Sequence, residues 1–160
     1  MRSNHAGETG AVWIYKGILT VSRDPAIRRF AEHHLATEQT HLGFFEDWLT
    51  SRQKSLLLPL WRLSGFMLGA VSAVGGQNWV YASIEAVETF VVKHYESQYA
   101  ALDDYGDATL TAAIHRFCSD EADHRDEAGG ETQARSGLLK AWCWVVGVGS
   151  EQAVKIARRI

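Results

Sequence analysis

A chain of 160 residues with 46% apolar content is sized for one globular domain with a substantial core. Its net charge of −3, with no long basic run, argues against a nucleic-acid partner. The two cysteines, Cys118 and Cys143, match no zinc spacing and require no disulfide.

Only two prolines, Pro25 and Pro59, interrupt the chain, which favours an all-helical reading. No signal peptide is expected ahead of the domain, because Gly7-Glu8 arrives almost at once. Asn4 to Val21 reads as the first helix, with Asn4 as N-cap and Glu8, Val12, Tyr15 and Leu19 on one side. His5 lies one turn before Glu8. Asp24 and Pro25 then supply a cap and a first-turn proline. The second helix is expected from Pro25 to Ser51, and its stripe Ile27, Phe30, His34, Glu38, His41, Phe45 and Trp48 steps by threes and fours. Glu38 and His41 sit inside that stripe.

The segment Leu56 to Gly76 carries one charge, Arg62, and is about long enough to span a bilayer. A span there would put Glu38 and the acidic motifs further along on opposite sides of a membrane. A crossover helix with an outer apolar face fits better. A long helix is expected near Asn78 to Asp103, with Glu88 in its stripe. A turn at Asp104 to Asp107 leads to a helix from Ala108 to Ala128. That helix repeats the earlier motif as Glu121-Ala122-Asp123-His124. Gly137 to Ile160 forms a last helix, rich in tryptophan at its start and basic at its end.

The chemistry lies in a pattern that occurs twice. Glu8 is followed 30 residues later (8 to 38) by Glu38-x-x-His41, and Glu88 is followed 33 residues later (88 to 121) by Glu121-x-x-His124. Carboxylate and imidazole at i and i+3 share one helix face. One ExxH alone is more often surface or satisfied core. Glu plus ExxH from each of two hairpins is how ferritin-like bundles build a dinuclear site. Four buried carboxylates are costly as bare anions, and two divalent cations neutralise them. Oxygen-rich ligation with one imidazole per metal favours iron or manganese over zinc or copper(I). The expected fold is therefore an all-α, ferritin-like four-helix bundle, one domain over 1–160. It has six helices, the third a crossover and the last apolar and amphipathic. The expected metal ligands are Glu8, Glu38, His41, Glu88, Glu121 and His124, with no catalytic residue assigned beyond them. Tyr15, Tyr95 and Cys118 read as packing residues. His5 and His94 read either as partners of a ligand carboxylate or as satisfied polar residues.

Asn4-His5-Ala6-Gly7-Glu8, Glu38-x-x-His41, Glu85-Ala86-Val87-Glu88 leading to His94-Tyr95, and Asp120-Glu121-x-x-His124 appear together with Leu58-Pro59-Leu60-Trp61, Gly65-Phe66 and Leu68-Gly69-Ala70. In these motifs the chain resembles the demethoxyubiquinone hydroxylases of ubiquinone biosynthesis over nearly its whole length. It departs from many of them in having Lys93 before His94-Tyr95, and in the tract Asp126 to Glu131. The resemblance implies a di-iron centre on the six residues above, dioxygen as co-substrate, and an external electron donor such as NADH or the reduced quinone. It implies a polyprenyl quinone substrate, and peripheral attachment to the inner mitochondrial membrane on the matrix side or the bacterial cytoplasmic membrane on the cytoplasmic side. Further expected partners are a lipid-presenting protein of the same pathway and a second copy in a homodimer. Two other readings stand beside this one: a ferritin-like iron- or peroxide-handling protein using the same six ligands, and a non-enzymatic membrane-attached bundle, against which the ligand set argues. A lipid-soluble substrate would enter beside Leu56–Gly76 and Leu138–Val148, where Phe66, Met67, Trp142 and Val145 are the expected apolar contacts.

Overall fold

The computed structural model describes residues 1–160 and is all-α, with no strand. Seven helices follow in order: α1 Arg2–Val21, α2 Pro25–Trp48, α3 Leu58–Val74, α4 Gln77–Glu96, α5 Tyr99–Tyr105, α6 Ala108–Glu131 and α7 Gly137–Ala157. The class is the expected ferritin-like one, with two long helices on either side of an apolar helix at mid-chain. Two compact units make up the chain, Met1–Val80 with Gly149–Ile160, and Tyr81–Val148.

In the first unit, α1 begins two residues earlier than expected. Met1 is its N-cap without a side-chain capping bond, and Asn4 is buried within the first turn. The cap at Asp24 forms as the sequence implies: its carboxylate accepts from the amides of Ala26 at 2.7 Å and Ile27 at 3.2 Å, with Pro25 in the first turn. Arg28 closes the same corner, its guanidinium donating to the carbonyls of Leu19 at 2.8 Å and Ser22 at 3.3 Å. These are carbonyls that a helix end leaves without an internal partner. Helix α2 stops at Trp48, short of the expected Ser51.

Helix α3 lies unusually close to α1. A Cβ at Gly69 would strike the Ile14 carbonyl, one at Gly65 the Gly10 carbonyl, and one at Gly17 the Phe66 carbonyl. These three positions admit only glycine at this spacing. Trp61 joins Ala6 and Ala157 in a small apolar cluster, and its indole donates to Ser55 Oγ at 3.1 Å. The opposite face of α3 stays in solvent: Leu60, Leu63, Met67, Val71 and Val74 are all exposed. No helix is long and apolar enough to cross a membrane. At 17 residues α3 is about 25 Å long.

In the second unit the expected helix 78–103 is broken, so there are seven helices rather than six. The break has a local cause. Ser97 Oγ donates to the His94 carbonyl at 2.7 Å and Gln98 Nε2 to the same carbonyl at 3.0 Å, while the Gln98 amide turns back to Tyr95. Side chains thus take the acceptor that the next helical turn would use. Gly106, at φ +74°, ends α5 in the left-handed region, and Asp107 caps α6 by accepting from the Leu110 amide at 2.9 Å. The start of α7 is tied to α4 by Trp142 Nε1 donating to Ser83 Oγ at 2.8 Å and by an Arg135–Glu85 ion pair. Cys118 and Cys143 are buried free thiols, and burial pushes the Cys143 thiol up.

Candidate metal centre

In the first unit the α1–α2 hairpin brings Glu8, Glu38 and His41 together. Their relative exposures are 3%, 0% and 1%, and one ligand atom from each lies within 4.8 Å of the others. His41 Nδ1 stands 3.6 Å from Glu8 Oε2. Glu38 and His41 face the same way because they are one turn apart on α2. Beneath them His34 lies buried in the same stripe. Its ring stacks on Tyr15 at 5.8 Å and 14° and touches Phe30 at 4.2 Å. Tyr15 is fully buried.

In the second unit α4 supplies Glu88 while α6 supplies Glu121 and His124. Exposures are 1%, 1% and 5%, and ligand atoms of these three also lie within 4.8 Å of one another. His124 Nδ1 is 3.2 Å from Glu121 Oε2. Each triad therefore offers two carboxylates and one imidazole from adjacent helices, all buried. Bare carboxylates at such depth cost several kcal/mol each, and a divalent cation is the usual remedy. The donor set fits iron or manganese: hard oxygen ligands, one borderline nitrogen, no thiolate.

One partner escaped the sequence reading. It belongs to His5, which stands on α1 three residues before Glu8. Its Nε2 lies 3.2 Å from Oε1 of Glu46, whose other oxygen lies 3.2 Å from Lys54 Nζ. His5 is completely buried, and burial holds its imidazole below the ordinary value, against the opposing hydrogen bond and charge of Glu46. The His5 hydrogen bond and Lys54 hold the Glu46 carboxyl low. A sequence signal for this pair is faint, since Glu46 stands off the apolar stripe of α2. His94 is buried and stacks on Phe90 at 5.9 Å and 8°.

Of the expected apolar contacts, Met67 and Val145 are exposed, Phe66 is half-buried against Trp13, and Trp142 is half-buried with its indole engaged by Ser83. Trp144, two residues further along α7, is 69% exposed.

The family model for ubiquinone biosynthesis protein COQ7 matches residues 1–157. The chain is 36% identical to a 3-demethoxyubiquinol 3-hydroxylase of Rhodospirillum rubrum, covering 100% of this chain and 76% of that protein. It is 33% identical to a mitochondrial NADPH-dependent 3-demethoxyubiquinone 3-hydroxylase of Dictyostelium discoideum, with the same two coverages. The protein of that name from Homo sapiens is 28% identical, again over 100% of this chain and 76% of the relative.

Proposed function

The chain belongs to the family of ubiquinone biosynthesis protein COQ7, and from that premise we propose that it is a di-iron monooxygenase hydroxylating the quinol ring of a demethoxyubiquinol. In this reading residues 1–160 act as one domain. Glu8, Glu38 and His41 would hold one iron, and Glu88, Glu121 and His124 the other. The observation that carries the reading is the same buried Glu, Glu, His triad occurring twice in a chain of this family.

Two bound ferrous ions would supply the electrons and Lewis acidity that dioxygen activation needs. The protein's part is placement and exclusion of water. Each ExxH fixes one carboxylate and one imidazole on a single helix face, so the donors are set before metal arrives. Burial keeps bulk water from the reacting atoms and strengthens the charge interactions among them. In net terms one ring C–H, one dioxygen, two electrons and two protons give one ring C–OH and one water. The electrons come from a reduced nicotinamide or from the quinol itself. The names of the Dictyostelium and human relatives specify NADPH.

The exposed apolar face of α3, and Leu138, Trp144 and Val145 on α7, support peripheral attachment to a membrane interface. That attachment lets the ring of a polyprenyl quinone reach the metals while its tail stays in lipid. The membrane would be the inner mitochondrial or the bacterial cytoplasmic one, with a lipid-presenting pathway protein and a second copy of the chain as partners. The test is anaerobic loading with iron, then exposure to dioxygen with demethoxyquinol and a reductant. Two irons per chain and a ring-hydroxylated product are expected. Iron uptake without product would favour an iron- or peroxide-handling protein, and no uptake would leave a non-enzymatic bundle.

A further inference from the structure

The positive charge of the first unit collects at one end, where the start of α1, the α2–α3 connection and the end of α7 meet. Arg2 Nε donates to the Gln53 carbonyl at 2.8 Å, and the Leu56 amide donates to the Ile160 carbonyl at 3.1 Å. Ala157 packs with Trp61 and Ala6. The charges of Arg158 and Arg2 both reach the Met1 amino group. Six basic side chains belong to these segments, Arg2, Arg52, Lys54, Lys155, Arg158 and Arg159, against Glu46, Asp47 and Glu151, so this end is positive although the chain carries −3. Glu46 is engaged by Lys54 at 3.2 Å and Glu151 by Lys155 at 2.6 Å, whereas Arg52, Arg158 and Arg159 stand exposed. The exposed apolar stripe of α3 begins at the same end. Leu56, the residue bonded to Ile160, is 80% exposed, and Leu60, Leu63 and Met67 share one exposed face of α3. Ile156 is exposed two residues before Arg158.

We infer that this end of the first unit docks on an anionic lipid surface, with Arg52, Arg158 and Arg159 against headgroup phosphates and Leu56, Leu60 and Leu63 among the acyl chains. The inference rests on the membrane attachment proposed above, and adds to it the charge of the lipid and the end of the protein that reads it. Basic groups held together without as many carboxylates repel one another, and a surface of phosphates offsets that repulsion. A guanidinium suits the task because it holds a phosphate through two parallel N–H donors. The apolar stripe selects the kind of phosphate. A lipid leaflet places hydrocarbon directly behind its headgroups, whereas nucleic acid and free phosphate offer nothing to exposed leucines.

The test is vesicle flotation of the full chain on phosphatidylcholine with and without phosphatidylglycerol. The wild type should prefer the anionic vesicles, and the preference should fade as salt shortens the screening length from about 8 Å at physiological strength to about 3 Å at 1 M. Each basic residue at such a surface is worth about fivefold in affinity. Arg52→Gln, Arg158→Gln and Arg159→Gln together should therefore weaken anionic binding about a hundredfold, while the same three changed to Lys should keep most of it. If the triple Gln protein loses its helical signal, Arg52→Gln with Arg159→Gln decides, at about twenty-fivefold. Leu60→Glu with Leu63→Glu should abolish binding to both vesicles. Wild-type binding by the Gln variants, or displacement from the vesicles by inorganic phosphate at constant ionic strength, would overturn the inference. So would a leucine variant that changes oligomeric state yet still binds vesicles, since the stripe would then belong to a second copy. Equal wild-type binding to both compositions refutes the inference and leaves the membrane attachment standing. Binding to neither refutes both.

Discussion

Gly69→Ala is the sharpest test of how α3 is held against α1. The added Cβ would overlap the Ile14 carbonyl oxygen and lie 2.8 Å from its carbon and 3.1 Å from its Cα. All three are backbone atoms and cannot rotate aside. Bringing the overlapped oxygen out to an ordinary contact of about 3.3 Å, and the carbonyl carbon from 2.8 Å to about 3.7 Å, requires the helices to part by about 1 Å or more. A gap of that size forfeits about a quarter to a half of each contact's attraction, and it propagates to the neighbouring Gly65–Gly10 and Gly17–Phe66 approaches. Overpacking of this kind costs about 1–3 kcal/mol, and the rigid target puts this site near the upper end. Replacing a mid-helix glycine by alanine returns about 1 kcal/mol in helix propensity. The net loss is then about 1–2 kcal/mol, a fall in Tm of about 2–8 °C for a chain of this size. Gly43→Ala is the control, since its Cβ would meet nothing within 4 Å. It should gain up to about 1 kcal/mol and raise Tm by about 2–4 °C. Thermal melts by circular dichroism at matched metal content decide it. A Gly69→Ala protein as stable as the wild type would refute the close-packing argument.

Glu121→Ala should abolish hydroxylation while helical content by circular dichroism survives, because removing a buried carboxylate relieves charge as it removes a ligand; retained turnover would take Glu121 out of the centre. Ferrous iron at a free concentration of about 100 Kd should stabilise the protein by about 2.7 kcal/mol, so chelation should lower Tm by about 5–11 °C, and an unchanged melt would count against a metal bound at the triads. Met67→Glu combined with Trp144→Glu should weaken liposome binding and turnover of long-tailed quinols while sparing a tailless analogue; unchanged liposome binding would refute the membrane face. Asp24 has its carboxyl held low by the amides of Ile27 and Ala26. The folded state therefore gains from its ionisation above the unfolded value near pH 4, and loses that gain as pH falls through the lower folded value. Acid melts of Asp24→Asn should lack this part of the decline below about pH 4, and parallel wild-type and variant profiles would show that the cap does not titrate as argued.

Much of this molecule was legible in its residues because the deciding interactions are short in sequence. Glu38 with His41 and Glu121 with His124 share a face through helix geometry alone. Asp24 and Asp107 cap through amides two or three residues away. The apolar stripes repeat every three or four positions, and so the long helices could be placed to within a few residues. Other features needed the fold. The break after Glu96 depends on two side chains competing for the His94 carbonyl, a choice that periodicity does not encode. Trp142 and Trp144 differ by two positions and are equally apolar, yet only the contact with Ser83, 59 residues away, decides which one is exposed. His5 finds Glu46 across 41 residues, and Gly69 meets Ile14 on another helix. Side chains brought together by packing leave no spacing in the chain, so the two ExxH motifs could be read from sequence while the His5–Glu46 pair could not.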